Sequence, residues 1–147
     1  MKLSTKGRYG TQAMLDLALH HGEGRILLKD IARRQGISGN YLEHLMPPLK
    51  AAKLVNSSRG AHGGYTLAKP PDQVKLIDII QALEGSLAPA ECVITPRVCR
   101  RSRSCVTRDV WAEMKEAIDK VLKSTTLQDL VERQKEKEGR GTGMYHI

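Results

Sequence analysis

Phenylalanine is absent from this chain of 147 residues, tryptophan occurs once and tyrosine four times. Its core must therefore be built from aliphatic side chains rather than from packed rings. Long apolar runs are missing too. The best candidate, Ala13 to Leu19, is interrupted by Asp16 and reads as an amphipathic helix, and no apolar segment follows the basic residues Lys2, Lys6 and Arg8. That argues against secretion and membrane insertion, and a cytoplasmic chain is expected. Acidic residues are scarce in the first half only. Residues 1–70 carry 11 Lys and Arg against 4 Asp and Glu, whereas residues 71–147 carry 13 against 12. The positive excess thus sits almost entirely in the N-terminal half, as expected if that half meets a polyanion. A well-solvated basic surface is the plainer alternative.

Cysteine is also rare, and it is confined to one place. Cys92, Cys99 and Cys105 all lie in "ECVITPRVCRRSRSC", spaced C-x6-C-x5-C among Arg97, Arg100, Arg101 and Arg103. Two cysteines would suggest a disulfide and four a closed zinc site. Three suggest an incomplete metal site, completed by something else. Nearby arginines favour the thiolate form and offset the negative charge of a thiolate-bound metal centre. The residue pattern leaves an iron–sulfur cluster, zinc and bare thiols all open. A fourth ligand could be Asp109, Glu91, a residue of a partner chain or an exogenous molecule. No histidine lies in the loop and no acid–base constellation recurs elsewhere, so an enzyme is not expected.

The length allows one domain, or a small domain with an appended element. The first half reads as three helices and a hairpin. Ser4 is placed to cap a helix running to about His21, with Tyr9, Ala13, Leu17 and Ala18 on one face, and Gly22 and Gly24 end it. "RILL" is a candidate strand. "LKDIARRQGISGNYLEHLM" holds two short helices around a turn. Ala32, Gly36, Leu42 and Leu45 fall where a helix-turn-helix needs small, turning and apolar residues, and Ser38 can cap the second helix. Pro47 and Pro48 predict a kink or break near the end of that helix. Strand-like runs at Leu54–Ser57 and Tyr65–Ala68 flank "SRGAHGG", a glycine-rich, basic hairpin tip. Directly after a helix-turn-helix, this hairpin is a wing.

These features predict a mainly α fold with a small β wing: a winged helix-turn-helix domain over 1–70, followed by a second region over 71–138. That region begins after "KPPDQ" with an apolar-faced helix, "LIDIIQALEG", and continues through the cysteine loop. A long helix over Val106–Leu122 follows, then a final helix opened by Thr126 and Asp129 at capping-box spacing. Residues 139–147 read as a flexible tail. The long helix carries an apolar stripe suited to a homodimer, since paired half-sites on double-stranded DNA, a palindromic operator, multiply affinity and specificity. Ser38, Asn40, Tyr41, Glu43 and His44 are the candidate DNA-binding residues at the exposed start of the second helix, with Arg59 and Gly60 at the wing tip. Glu43 can accept from a cytosine amine, and Arg59 suits the negative potential of a minor groove.

"MKLSTKGRYG", "YLEHLMPPLKAAKLV", "SRGAHGGYTLAKP", "IIQALEG" and "TTLQDLV" together resemble the Rrf-two family of bacterial winged-helix transcription regulators, over about residues 1–133. Two branches of that family are similar. The three-cysteine loop resembles the IscR-like branch, which implies a labile 2Fe–2S iron–sulfur cluster on Cys92, Cys99 and Cys105. Arg108 stands where that branch has its histidine ligand, and Arg8 stands where the nitric-oxide-sensing branch has a carboxylate ligand. The wording "STKGRYG" and "SRGAHGGY" also resembles the CymR-like branch, regulators of cysteine metabolism that generally lack the cysteine trio. Tyr145-His146-Ile147 is similar to that branch's ending. This implies docking of cysteine synthase through Ile147, whose side chain and terminal carboxylate would mimic the enzyme's substrate, with Gly139, Gly141 and Gly143 giving reach.

Overall fold

The computed structural model describes residues 2–60 and 63–145, with side chains described to residue 140. Seven helices are present among them: α1 (Thr5–Leu19), α2 (Leu28–Gln35), α3 (Gly39–Ala51), α4 (Leu76–Glu84), α5 (Glu91–Ile94), α6 (Val106–Ser124) and α7 (Leu127–Tyr145). The strands β1 (Val55–Ser58) and β2 (Gly64–Leu67) form an antiparallel pair between α3 and α4, in register Val55↔Leu67 through Ser58↔Gly64. A mostly helical fold with a two-stranded wing is what the sequence predicts.

Local signals account for the element ends. The Ser4 hydroxyl accepts from the Gly7 amide at 3.4 Å and opens α1, and the Ser38 hydroxyl accepts from the Tyr41 amide at 3.4 Å and opens α3. Gly36 ends α2 at φ 64° and ψ 36°, a left-handed conformation that a side chain at the turn would disfavour. At the start of α7 the caps are reciprocal. The Thr126 amide donates to Asp129 at 2.9 Å, and the Asp129 amide donates to the Thr126 hydroxyl at 3.1 Å.

Three expectations need correction. "RILL" is not a strand: Ile26 alone bridges Tyr65, exchanging backbone bonds of 2.9 and 2.8 Å, before α2 begins. Pro47 and Pro48 do not break α3, which continues to Ala51. Their missing amides would have faced the carbonyls of Glu43 and His44, whose positions are exposed and open to water. Leu42, Leu45, Met46 and Leu49 on the other face are all buried, and that packing holds the helix. Third, the flexible tail expected over 139–147, of which residues 146 and 147 lie outside the described residues, overlaps α7, which runs on to Tyr145. Each glycine there costs about 1 kcal/mol of helix propensity. Exposed pairs one turn apart support the helix, Gln134 with Glu138 at 2.9 Å and Arg140 with Glu136.

The core is one cluster. Ala13, Met14 and Leu17 of α1 meet Ile31, Leu42, Leu45 and Leu49, and the cluster continues through Val55, Val74 and Ile79 to Leu127 and Val131 of α7. Pro70 and Pro71 therefore mark a bend between wing and α4 across which the core continues. The α6 helix contributes no buried residue.

Candidate nucleic-acid interface and cysteine loop

The start of α3 presents Ser38, Asn40, Glu43 and His44 as exposed side chains on a helix whose opposite face is locked into the core. Tyr41 differs. It is half-buried, its hydroxyl pairs with Thr5 Oγ1 at 3.0 Å, and its ring meets Tyr9 edge-on at 5.9 Å between centroids. The guanidinium of Arg8 lies 5.7 Å from the centre of the Tyr9 ring. The start of α1 thus packs beside the start of α3, and the two helix N-termini form one surface. Arg59 and Gly60 are exposed at the wing tip. The tip residues 61 and 62 lie outside the described residues.

A buried carboxylate ties α1 to α2. Asp16, 1% exposed, accepts from Arg34 through Nε at 2.9 Å and Nη2 at 2.8 Å, and from Gln35 Nε2 at 3.0 Å. Burial pushes the Asp16 carboxyl up. The hydrogen bonds from Arg34 and Gln35, with the charges of Arg34 and His20, outweigh this and hold it below the usual carboxylate value. Asp16 occupies the apolar face of α1 beside Ala13 and Leu17. A carboxylate on such a face is the sequence signal for a buried pair, and the expectations above treat it only as an interruption.

The cysteine loop is folded by its own hydrogen bonds. After α5 the chain makes a short 3-10 turn, Pro96–Val98. The buried Ser102 hydroxyl lies 2.6 Å from the Pro96 carbonyl and 2.9 Å from the Cys99 carbonyl. Arg108 Nε donates to the Cys92 carbonyl at 3.0 Å and ties the first turn of α6 to α5. Cys92 and Cys105 are half-buried and Cys99 is exposed, and none is in a disulfide. The Thr107 hydroxyl, 3.1 Å away, and the Arg108 and Thr107 amides stabilise the Cys105 thiolate and bring its pKa down, with desolvation and the Asp109 charge opposing.

The donor set suits a soft, thiolate-bound metal or cluster. Its arrangement does not gather one: among the described residues, no three Cys, His, Asp or Glu side chains converge on a metal position. Arg108 cannot ligate, and its guanidinium is engaged with backbone. Ile147, the expected partner-binding residue, lies outside the described residues.

The α6 helix leaves an apolar stripe uncovered. Val106 is 75% and Val121 62% exposed, and Val110, Trp111 and Met114 are exposed between them. No helix among the described residues is long and apolar enough to cross a membrane.

Comparison with known proteins agrees with this geometry. The profile of the family described as Rrf2, iron-dependent transcriptional regulator, matches residues 3–133. The Rrf2 protein of Nitratidesulfovibrio vulgaris is 44% identical over 131 residues, covering 89% of this chain and 87% of that protein. CymR of Bacillus subtilis is 45% identical over 130 residues, 88% of this chain and 89% of CymR. Its solved structure, described as that of a global cysteine regulator, superposes with a TM-score of 0.76 over 90% of this chain and 98% of that one. The structure of T. potens IscR is 47% identical, with a TM-score of 0.77 over 93% of this chain and 90% of that one. These relatives are regulators rather than enzymes. With the winged helix and the match over most of its length, the chain belongs to the Rrf2 family of transcriptional regulators.

Proposed function

We propose that this chain is a homodimeric, sequence-specific DNA-binding regulator that senses iron–sulfur or redox status through Cys92, Cys99 and Cys105. One observation carries the reading: every thiol of the chain lies in a single arginine-rich loop, between the helix that abuts the start of α1 and the helix with the uncovered stripe. In this reading the start of α3, with Asn40, Glu43 and His44, enters the major groove, and Arg59 and Gly60 reach the adjacent minor groove. The stripe on α6 pairs with its copy, giving two reading heads for a palindromic operator. A labile 2Fe–2S cluster on the three thiolates, with a fourth donor from outside the loop, fits the donor chemistry. The family description and the likeness to IscR support that cofactor.

The test is purification without oxygen, followed by absorption spectroscopy with iron and sulfide counts, for the wild type and each Cys→Ser variant. A coloured wild type that loses iron in all three variants is the expected result. A colourless, iron-free protein after anaerobic reconstitution would overturn the cluster.

The similarity to CymR favours a second reading, control of cysteine metabolism by a complex with cysteine synthase anchored through Ile147, with unliganded thiols. Deleting Ile147 should then abolish synthase binding in calorimetry and leave DNA affinity unchanged. Equal binding by both forms, or binding by neither, would remove it.

A further inference from the structure

The last residue of α4 reaches across the fold to the start of α1. Glu84 Oε1 accepts from the Ser4 amide at 2.6 Å and the Gly7 amide at 3.2 Å, and also from the Ser4 hydroxyl. One carboxylate oxygen thus takes three donors at the opening of a helix 77 to 80 residues away in the chain, where negative charge also complements the helix dipole. The approach is close because two glycines permit it. A Cβ on Gly7 would stand 2.6 Å from Glu84 Oε1, and one on Gly10 would stand 2.1 Å from Leu83 Cδ1.

Both ends of this contact lead somewhere. On one side, Gly85 ends α4 at φ 76° and the chain runs directly into the segment that carries all three cysteines. On the other side, Thr5, next to Ser4, holds the Tyr41 hydroxyl, and Tyr9, on the next turn, meets the Tyr41 ring. Tyr41 sits in the first turn of α3, among the residues assigned to the major groove. The end of α4 is thus tied to the start of α1, and the start of α1 braces the start of α3. The links are hydrogen bonds and ring contacts between packed helices, the kind of contiguous network that can carry coupling between sites.

We propose that Glu84 is a positioning residue that couples the cysteine loop to the recognition helix: through Ser4 and Gly7 it sets the start of α1, and through Thr5 and Tyr9 it sets Tyr41. This rests on the reading of α3 as the groove-entering helix. Glu84 touches neither DNA nor metal in this role. Because the chain has no cysteine outside the loop, a thiol reagent perturbs the loop and nothing else.

The experiment uses duplexes selected by the wild-type full-length protein from a random-sequence library, with scrambled duplexes of equal length as reference. The readout is the ratio of the two affinities, which a loss of stability alone does not change in the folded fraction. Glu84→Gln should lower this ratio at least about fivefold, the lower end of typical coupling between sites. Glu84→Asp, which keeps the charge, should recover part of it. Alkylation with N-ethylmaleimide should change the ratio of the wild type and leave that of Glu84→Gln unchanged. Thr5→Val, which removes the acceptor of the Tyr41 hydroxyl and leaves Tyr41 itself intact, should blunt the response to alkylation, and it serves where Glu84→Gln does not fold. An unaltered ratio in Glu84→Gln, or equal effects of alkylation on wild type and variants, overturns the coupling. A wild type that does not respond to alkylation overturns it as well. A wild type that selects no duplex overturns the DNA-reading assignment itself, a different result from any of these.

Discussion

Asp16→Asn should destabilise the fold by about 2–3 kcal/mol, although Asp16 touches neither candidate site. The wild-type carboxylate is 1% exposed and satisfies a two-pronged guanidinium as well as the Gln35 amide. Asparagine has the same shape but only one acceptor oxygen, and its amide would point hydrogens at donors. Hydrogen bonds to charged groups are each worth about 1.5–3 kcal/mol net, and breaking a buried pair costs about 3–5 kcal/mol. The Arg34 side chain is 30% exposed, so water takes over part of its solvation in the variant, which keeps the cost below that of a fully buried pair. For a chain of this length the loss corresponds to a fall in Tm of roughly 4–12 °C. Arg34→Met should cost at least as much, because it leaves a buried carboxylate without its cation. The double variant should be less destabilised than the sum of the two singles. The pH dependence provides an independent check. The folded-state pKa of Asp16 lies below the ordinary 3.8, so its contribution is present above that value and is lost as pH falls through the folded pKa. Calorimetric scans should show the wild type losing its advantage over Asp16→Asn in that acid range. Strictly additive effects in the double variant, or a difference in Tm that persists undiminished to the lowest pH at which both fold, would show that the Asp16–Arg34 pair does not stabilise the fold.

Arg59→Ala should weaken binding to a selected duplex by about 1–3 kcal/mol in a fluorescence titration at matched salt, and lessen the preference for a narrow minor groove. Met114→Glu places a charge on the uncovered face of α6 and should shift sedimentation from dimer towards monomer by at least about 2 kcal/mol in association. Arg108→His supplies an imidazole where the IscR-like pattern has one, and should lengthen the survival of the cluster's absorption in air. It also removes the Arg108 bond to the Cys92 carbonyl.

What the sequence made legible is largely what short-range chemistry decides. Ser4, Gly36, Ser38 and the Thr126–Asp129 pair each act within four residues, and each sits where local rules put it. The helix-turn-helix pattern likewise marked Leu42 and Leu45 as apolar positions of α3, and both are buried. Pro47 and Pro48 were overestimated, because a rule about lost backbone bonds does not know how much apolar surface the opposite face buries. Long-range polar contacts left no local trace. Nothing near Glu84 announces that its carboxylate caps a helix far back in the chain, and only a carboxylate among apolar neighbours hinted at the Asp16 pair.

The cysteine loop divides the same way, and a comparison of energies shows why its folded form and a cluster are compatible. The spacing of Cys92, Cys99 and Cys105 identifies the donors, but where each sulfur points depends on α5, the Pro96–Val98 turn and the bonds made by Ser102 and Arg108. Gathering three thiolates around a metal would draw on the same segment, and at most would break those bonds. A neutral intramolecular hydrogen bond contributes about 0.5–1.5 kcal/mol net and one from a charged donor about 1.5–3, so releasing the contacts of Ser102 and Arg108 would cost on the order of 2–4 kcal/mol. Zinc bound to thiolate and imidazole ligands in small peptides contributes roughly 10–16 kcal/mol at neutral pH, which sets the scale for a closed thiolate site. The loop's own bonds are therefore too weak to keep a metal out. They give the loop a defined shape, with Arg108 holding α5 against α6.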